Sequence, residues 1–100
     1  MYFFMRGPFG REQAEFATTL GGILSVTLVP QDDVWRIQVR LHGYGTTGMV
    51  DRIYTKAQTT QERTFRNLDT AYREIRRWWS GTITVATPAP ISTLNADDTT

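Results

Sequence analysis

"VWRIQVRLH", residues 34–42, is the stretch on which the fold turns. Trp35, Ile37, Val39 and Leu41 alternate with Arg36, Gln38, Arg40 and His42. That two-residue period belongs to a strand with one buried and one wet face. Just upstream, "ILSVTLVP" at 23–30 alternates in the same way, with Leu24, Val26 and Leu28 expected inward. Pro30 and "QDD" at 31–33 supply turn chemistry between the two runs. The pair reads as an antiparallel hairpin.

Gly7 and Pro8 precede a segment whose Phe9, Phe16, Ala17 and Leu20 share one helical face, predicting a helix over about 9–20. Gly21 or Gly22 is placed to take a left-handed cap. Downstream, "MVDRIYTKAQ" predicts a third strand over about 49–57 and "ERTF" a short fourth over about 62–66. A second helix is expected over about 67–79. Asn67 is its N-cap, Asp69 suits the positive end of the helix dipole, and Arg73 lies four residues on for a surface pair. Leu68, Tyr72, Ile75 and Trp79 form its expected apolar stripe, with Ala71 and Trp78 flanking. "GTITVA" is read either as a final strand or as a tail docked on a sheet edge, and the Thr, Pro, Ala and Asp composition of 88–100 as a disordered end. The class is α+β: an antiparallel sheet of three to four strands with both helices on one face, in one domain spanning 1–87.

A chain of 100 residues with 40% hydrophobic and 21% charged side chains can bury one core without staples. It has no cysteine, so disulfides and thiolate metal sites are excluded. "MYFFM" is interrupted by Arg6, Gly7 and Pro8 before it reaches the length of a secretory signal, and no apolar run approaches a membrane span. The expectation is a cytoplasmic protein without membrane contact. The net charge of +1 hides an asymmetry, because Asp97 and Asp98 stand in the last fifteen residues, where no base occurs. Ten of the eleven bases are arginine, the residue suited to bidentate phosphate contacts, although a GC-rich genome gives the same skew.

Catalytic motifs are sparse. "GYGTTGMV" at 43–50 satisfies G-x-G-x-x-G, but a dinucleotide fingerprint must open a helix, and strand-like sequence follows here. It reads as a hairpin loop. His42 is the only histidine and has no further ligands at metal spacing, and Ser25, Ser80 and Ser92 lack a neighbouring base. No enzyme, metal or small-molecule cofactor is inferred.

The basic residues carry the functional expectation. Arg36, Gln38 and Arg40 lie on the face away from Trp35, Ile37 and Val39; Arg52, Tyr54 and Lys56 share one parity on the next strand; Arg66 leaves the fourth strand opposite Phe65. Several cations on one surface suit phosphate, and an aromatic among them can stack a base. The same pattern also describes a solvated sheet face whose long charged side chains discourage edge pairing. Arg76 and Arg77, in the last helical turns, are explained by the helix dipole, and Trp78 and Trp79 by burial.

"VWRIQVRLHGYG" followed by "ERTFRNLDTAYREIRR" resembles the arm-site-binding domain of phage-type integrases, a three-stranded sheet on one C-terminal helix, and also short reading frames of plasmids and integrative elements. The resemblance covers residues 34–79. It implies a sheet face entering the DNA major groove, and it implies Arg36, Gln38, Arg40, Arg52, Tyr54 and Lys56 as the contacting residues. The extra N-terminal helix and strand depart from that domain. The helix and strand order is also similar to a double-stranded-RNA-binding domain, but "NLDTA" offers an acid where that family has a lysine-rich phosphate contact. The resulting expectation is a small DNA-binding or accessory protein, from a mobile element. The alternative is a protein-interaction domain or homodimer with no role on nucleic acid.

Overall fold

The computed structural model describes residues 7–43 and 48–87. Helix α1 spans Arg11–Thr19 and is followed by strands β1 (Ile23–Gln31), β2 (Val34–His42), β3 (Met49–Ile53) and β4 (Thr64–Phe65). Helix α2 (Leu68–Arg76) and strand β5 (Ile83–Val85) complete the order. The class is α+β, as the sequence implied, with a sheet of five strands rather than three or four.

β1 and β2 form the expected hairpin, with Gln31 opposite Val34 and Asp32 in the left-handed region at φ 56°. Aspartate tolerates that conformation better than most residues because its short side chain hydrogen-bonds locally. The register slips between Ile23 and Ser25, so Ile23 turns inward and Leu24, expected inside, is 39% exposed. An extra residue in one strand of a pair flips the alternation beyond it.

β2 is the centre of the sheet. β1 pairs with one edge; on the other, β3 lies along Gln38–His42 and β4 along Trp35–Arg36, both antiparallel. Between β3 and β4 the chain leaves the sheet. Thr55 pairs with Glu62, and the Lys56 N–H donates to the Gln61 carbonyl at 2.9 Å, so residues 55–62 form a projecting hairpin. The third strand therefore stops at Ile53 instead of running to about 57, because the backbone beyond pairs with itself. The N–H of Thr55 donates to the Phe9 carbonyl and the N–H of Phe9 to Thr55 Oγ1, clipping the start of α1 to this hairpin.

α2 then carries the chain back across the sheet, and β5 joins β1 in parallel, with Val26 opposite Ile83 and Leu28 opposite Val85. "GTITVA" is thus a strand, and the sheet is mixed rather than wholly antiparallel. A parallel partner requires such a crossover, and here the crossover is the helix that covers the core.

Both helix ends follow the sequence signals. Gly21, at φ 70°, and Gly22 return hydrogen bonds to Thr18 and Ala17, closing α1 in a Schellman motif. The Asn67 side chain accepts from the N–H groups of Asp69 and Thr70 at the start of α2. The faces buried are narrower than the stripes expected. α1 buries Ala14 and Ala17 and leaves Phe16 and Leu20 exposed; α2 buries Ala71, Glu74 and Ile75, with Trp78 buried just past its end, and leaves Leu68 and Tyr72 at the surface. These helical residues meet Val26, Leu28, Ile37, Val39, Leu41, Tyr54 and Phe65 in one core. Both helices contribute to that core, and the other face of the sheet has neither over it. The expected tail at 88–100 lies outside the described residues.

Candidate nucleic-acid interface

Directly opposed residues in a ladder point to the same face, so the register defines, among the described residues, the surface that neither helix covers, called here the uncovered face. Three adjacent rows lie between the Gln31–Val34 and His42–Met49 pairs. One holds Ser25, Arg40 and Asp51; the middle one holds Thr84, Thr27, Gln38 and Ile53; the third holds Val29, Arg36 and Thr64. Arg36, Gln38 and Arg40 therefore occupy successive rows on the central strand, about 6.7 Å apart by strand geometry. His42 lies beyond them, opposite Met49, and both are exposed. Arg66 is exposed one residue past Phe65, whose side chain is buried opposite Trp35.

The remaining expected contact residues are elsewhere. Arg52 stands opposite Val39, on the helix-covered side; its guanidinium lies 5.4 Å from the Phe9 ring centroid and donates to the Gly7 carbonyl. Burial there pulls its pKa below the ordinary arginine value. Tyr54 is fully buried, stacked on Trp78 with ring centroids 5.5 Å apart. Lys56 is exposed on the projecting hairpin rather than on the sheet. The parity shared by Arg52 and Tyr54 is real, but it is the inward one. With His42 opposite Met49, odd-numbered residues of β2 face even-numbered residues of β3, so inward alternation passes from Val39 and Leu41 to Val50 and Arg52.

The three rows are mostly polar, with Val29 and Ile53 among them, and near balance in charge. Arg40 makes a bidentate pair with Asp51 at 2.8 and 3.0 Å, and that hydrogen bonding holds the Asp51 carboxyl below its usual value. Arg36 reaches Glu62 at 3.4 Å, while its Nε has no acceptor among the described residues. Exposed pairs of this kind contribute little, so a phosphate can displace either carboxylate at small cost. With Tyr54 inside, none of the three rows contains an aromatic on which an unpaired base could stack.

A second charged assembly sits under α1 and α2. The Glu74 carboxylate is only 4% exposed. It accepts a 2.5 Å hydrogen bond from Tyr54 Oη and 3.3 Å bonds from Arg11, with Arg63 at 3.3 Å and Arg77 at 3.4 Å. Burial alone would raise the Glu74 pKa, but the hydrogen bonds from Tyr54 and Arg11 and the charges of Arg63 and Arg11 outweigh it, leaving it lowered. Burial first, and then the bond to this carboxylate, push the Tyr54 hydroxyl far above its ordinary value. The assembly ties α1, the base of the 55–62 hairpin and α2 together, which gives these arginines a structural role. Arg11 and Arg63 also border a cleft of about 450 Å³, together with Glu12 and Glu15, so that surface is not a concentrated cationic one.

An apolar groove also lies at the surface. Leu68 and Tyr72 of α2, with Leu28 and Val85, line an open groove of about 440 Å³. Among the described residues no helix is long and apolar enough to cross a membrane. "GYGTTGMV" joins two strands, its ends held by the Gly43 N–H donating to the Gly48 carbonyl at 2.9 Å, so no helix follows to receive a pyrophosphate. No family model, curated protein or solved structure matches this chain.

Proposed function

We propose that this protein binds duplex DNA across the uncovered face of its sheet, as a small accessory protein of a mobile element. The observation that supports this most is the placement of Arg36, Gln38 and Arg40 on successive rows of the central strand, on a broad polar face that neither helix covers. Strands of a sheet are among the elements that read a DNA groove, and their side chains then meet base edges while flanking arginines take phosphates. Ser25, Thr27, Thr64 and Thr84 add hydroxyl donors on the same surface. The lack of an aromatic in these rows favours duplex over single strand. The resemblance of residues 34–79 to the integrase arm-site domain agrees in kind, with Arg52, Tyr54 and Lys56 removed from the contact set and Arg66 kept at its margin.

Fluorescence anisotropy with a labelled duplex tests the reading. Arg36, Arg40 and Arg66 together set a slope of log affinity against log salt of about −2.7, so affinity falls about 40-fold between 50 and 200 mM salt. The double variant Arg36→Gln with Arg40→Gln is expected to flatten that slope to about −0.9. No binding at about 50 mM salt defeats the proposal.

The second reading is a protein-interaction domain that pairs with a second copy of itself. It is favoured by one observation, the exposure of Leu68, Tyr72 and Val85 around a single groove. Concentration-dependent sedimentation, abolished by Tyr72→Ser and Val85→Ser, would support it.

A further inference from the structure

The middle row of the uncovered face combines two kinds of chemistry that occur side by side in only one base pair. Gln38 lies directly opposite Ile53 across the β2–β3 ladder, so their Cβ atoms are about 4.5–5.5 Å apart and both side chains leave the same surface. The Gln38 carboxamide makes no side-chain hydrogen bond among the described residues, which leaves its acceptor and its donors free for a ligand. Ile53 is a partly exposed aliphatic side chain in a row otherwise made of Gln38, Thr27 and Thr84; Val29 lies one row away. Arg40 with Asp51 and Arg36 with Thr64 flank the row on either side.

In the major groove, adenine offers N7 as an acceptor and its N6 amino group as a donor, the pattern a carboxamide matches with two bonds. Its partner thymine adds a C5-methyl group beside that edge, and an aliphatic side chain matches the methyl by burying it. A G·C pair offers two acceptors on guanine and no methyl, so it leaves the Gln38 donors and acceptor mismatched and Ile53 without a partner.

We infer that, within the DNA-binding reading on which this rests, the middle row reads an A·T pair through the major groove, Gln38 engaging adenine and Ile53 the thymine methyl. Arg36 and Arg40 then lie one row away on either side, toward phosphates or a neighbouring guanine.

Three alternating duplexes of equal length separate the contributions: dA–dT, dA–dU, which lacks only the thymine methyl, and dI–dC. The last presents the minor-groove acceptors of A·T but the major-groove acceptor pattern of G·C. All three carry the same backbone charge, so at one salt concentration the counterion contribution is closely matched. The expected order of affinity is dA–dT, then dA–dU about 4-fold weaker for the lost methyl contact, then dI–dC about 5- to 150-fold below dA–dU for the lost bidentate match. Gln38→Ala is expected to remove the preference for dA–dU over dI–dC, and Ile53→Ala the preference for dA–dT over dA–dU; thermal unfolding of each variant confirms that it folds.

Equal affinities for the three duplexes in the wild-type protein overturn the inference while leaving DNA binding standing. So do preferences that survive both substitutions. Failure to bind any of the three removes the proposed function, and this inference with it.

Discussion

Replacing Glu74 by glutamine is the sharpest test of how the core is held. Glutamine keeps the volume but removes the charge, and it places an amide N–H₂ where Tyr54, Arg11, Arg63 or Arg77 needs an acceptor. Removing one partner of a buried ion pair costs about 3–5 kcal/mol, because the groups left behind stay desolvated and unpaired. A domain of this size has only about 5–15 kcal/mol in total, and each kcal/mol moves Tm by about 4–8 °C. Glu74→Gln is therefore expected to lower Tm by at least about 12 °C in calorimetry near neutral pH. The difference from wild type should also depend on pH. The folded Glu74 pKa is lowered, so its stabilisation is fully present above the unfolded value of about 4.3 and is lost as pH falls through the folded value. The gap between the two proteins should accordingly close under strongly acid conditions. A drop of less than about 4 °C, or a gap that widens toward acid pH, would refute the assignment of Glu74 as the shared acceptor of the cluster.

Tyr54, raised by burial and by its bond to Glu74, should stay protonated above the ordinary tyrosine range; an ultraviolet alkaline titration of wild type against Tyr54→Phe checks this by the loss of one late-titrating group. Because its folded pKa is raised, the stability it contributes is present below the unfolded value of about 10 and falls as pH rises above it. Asp32→Val, which forces a β-branched residue into φ 56°, should cost about 1–2 kcal/mol in urea unfolding, whereas Asp32→Gly should be neutral or slightly stabilising. Asn67→Ala, which removes the acceptor for two N–H groups of α2, should cost about 1 kcal/mol in the same assay.

Where the determinants are local, the sequence was a good guide. The alternation from Trp35 to His42, the Asn67 cap, the Asp69–Arg73 pair at 2.6 Å and the glycine stop after α1 all appear as expected, since each depends on neighbours within about one turn or one strand. Orientation across longer distances was harder to read. Val50, Arg52 and Tyr54 differ little in polarity from Met49, Asp51 and Ile53, so only the pairing of His42 with Met49 reveals which set is buried. The slip that exposes Leu24 likewise depends on the partner strand. Glu74 lies on the helical face between Ala71 and Trp78, and its burial becomes intelligible only once Tyr54, Arg11, Arg63 and Arg77 are seen to converge on it. For the candidate interface, Arg36, Gln38 and Arg40 were visible from β2 alone. Ile53, Thr27 and Thr84 were not, because they join the surface through register.

Nuclear magnetic resonance mapping with a short duplex on the isotopically labelled full chain tests the central claim most directly. The account predicts that added duplex perturbs the side-chain signals of Arg36, Gln38, Arg40, Thr27 and Ile53, while the buried signals of Ala71 and Ile75 stay still. Perturbations confined to α2 and the Arg11–Arg63 cleft, or no perturbation at about 50 mM salt, would contradict it.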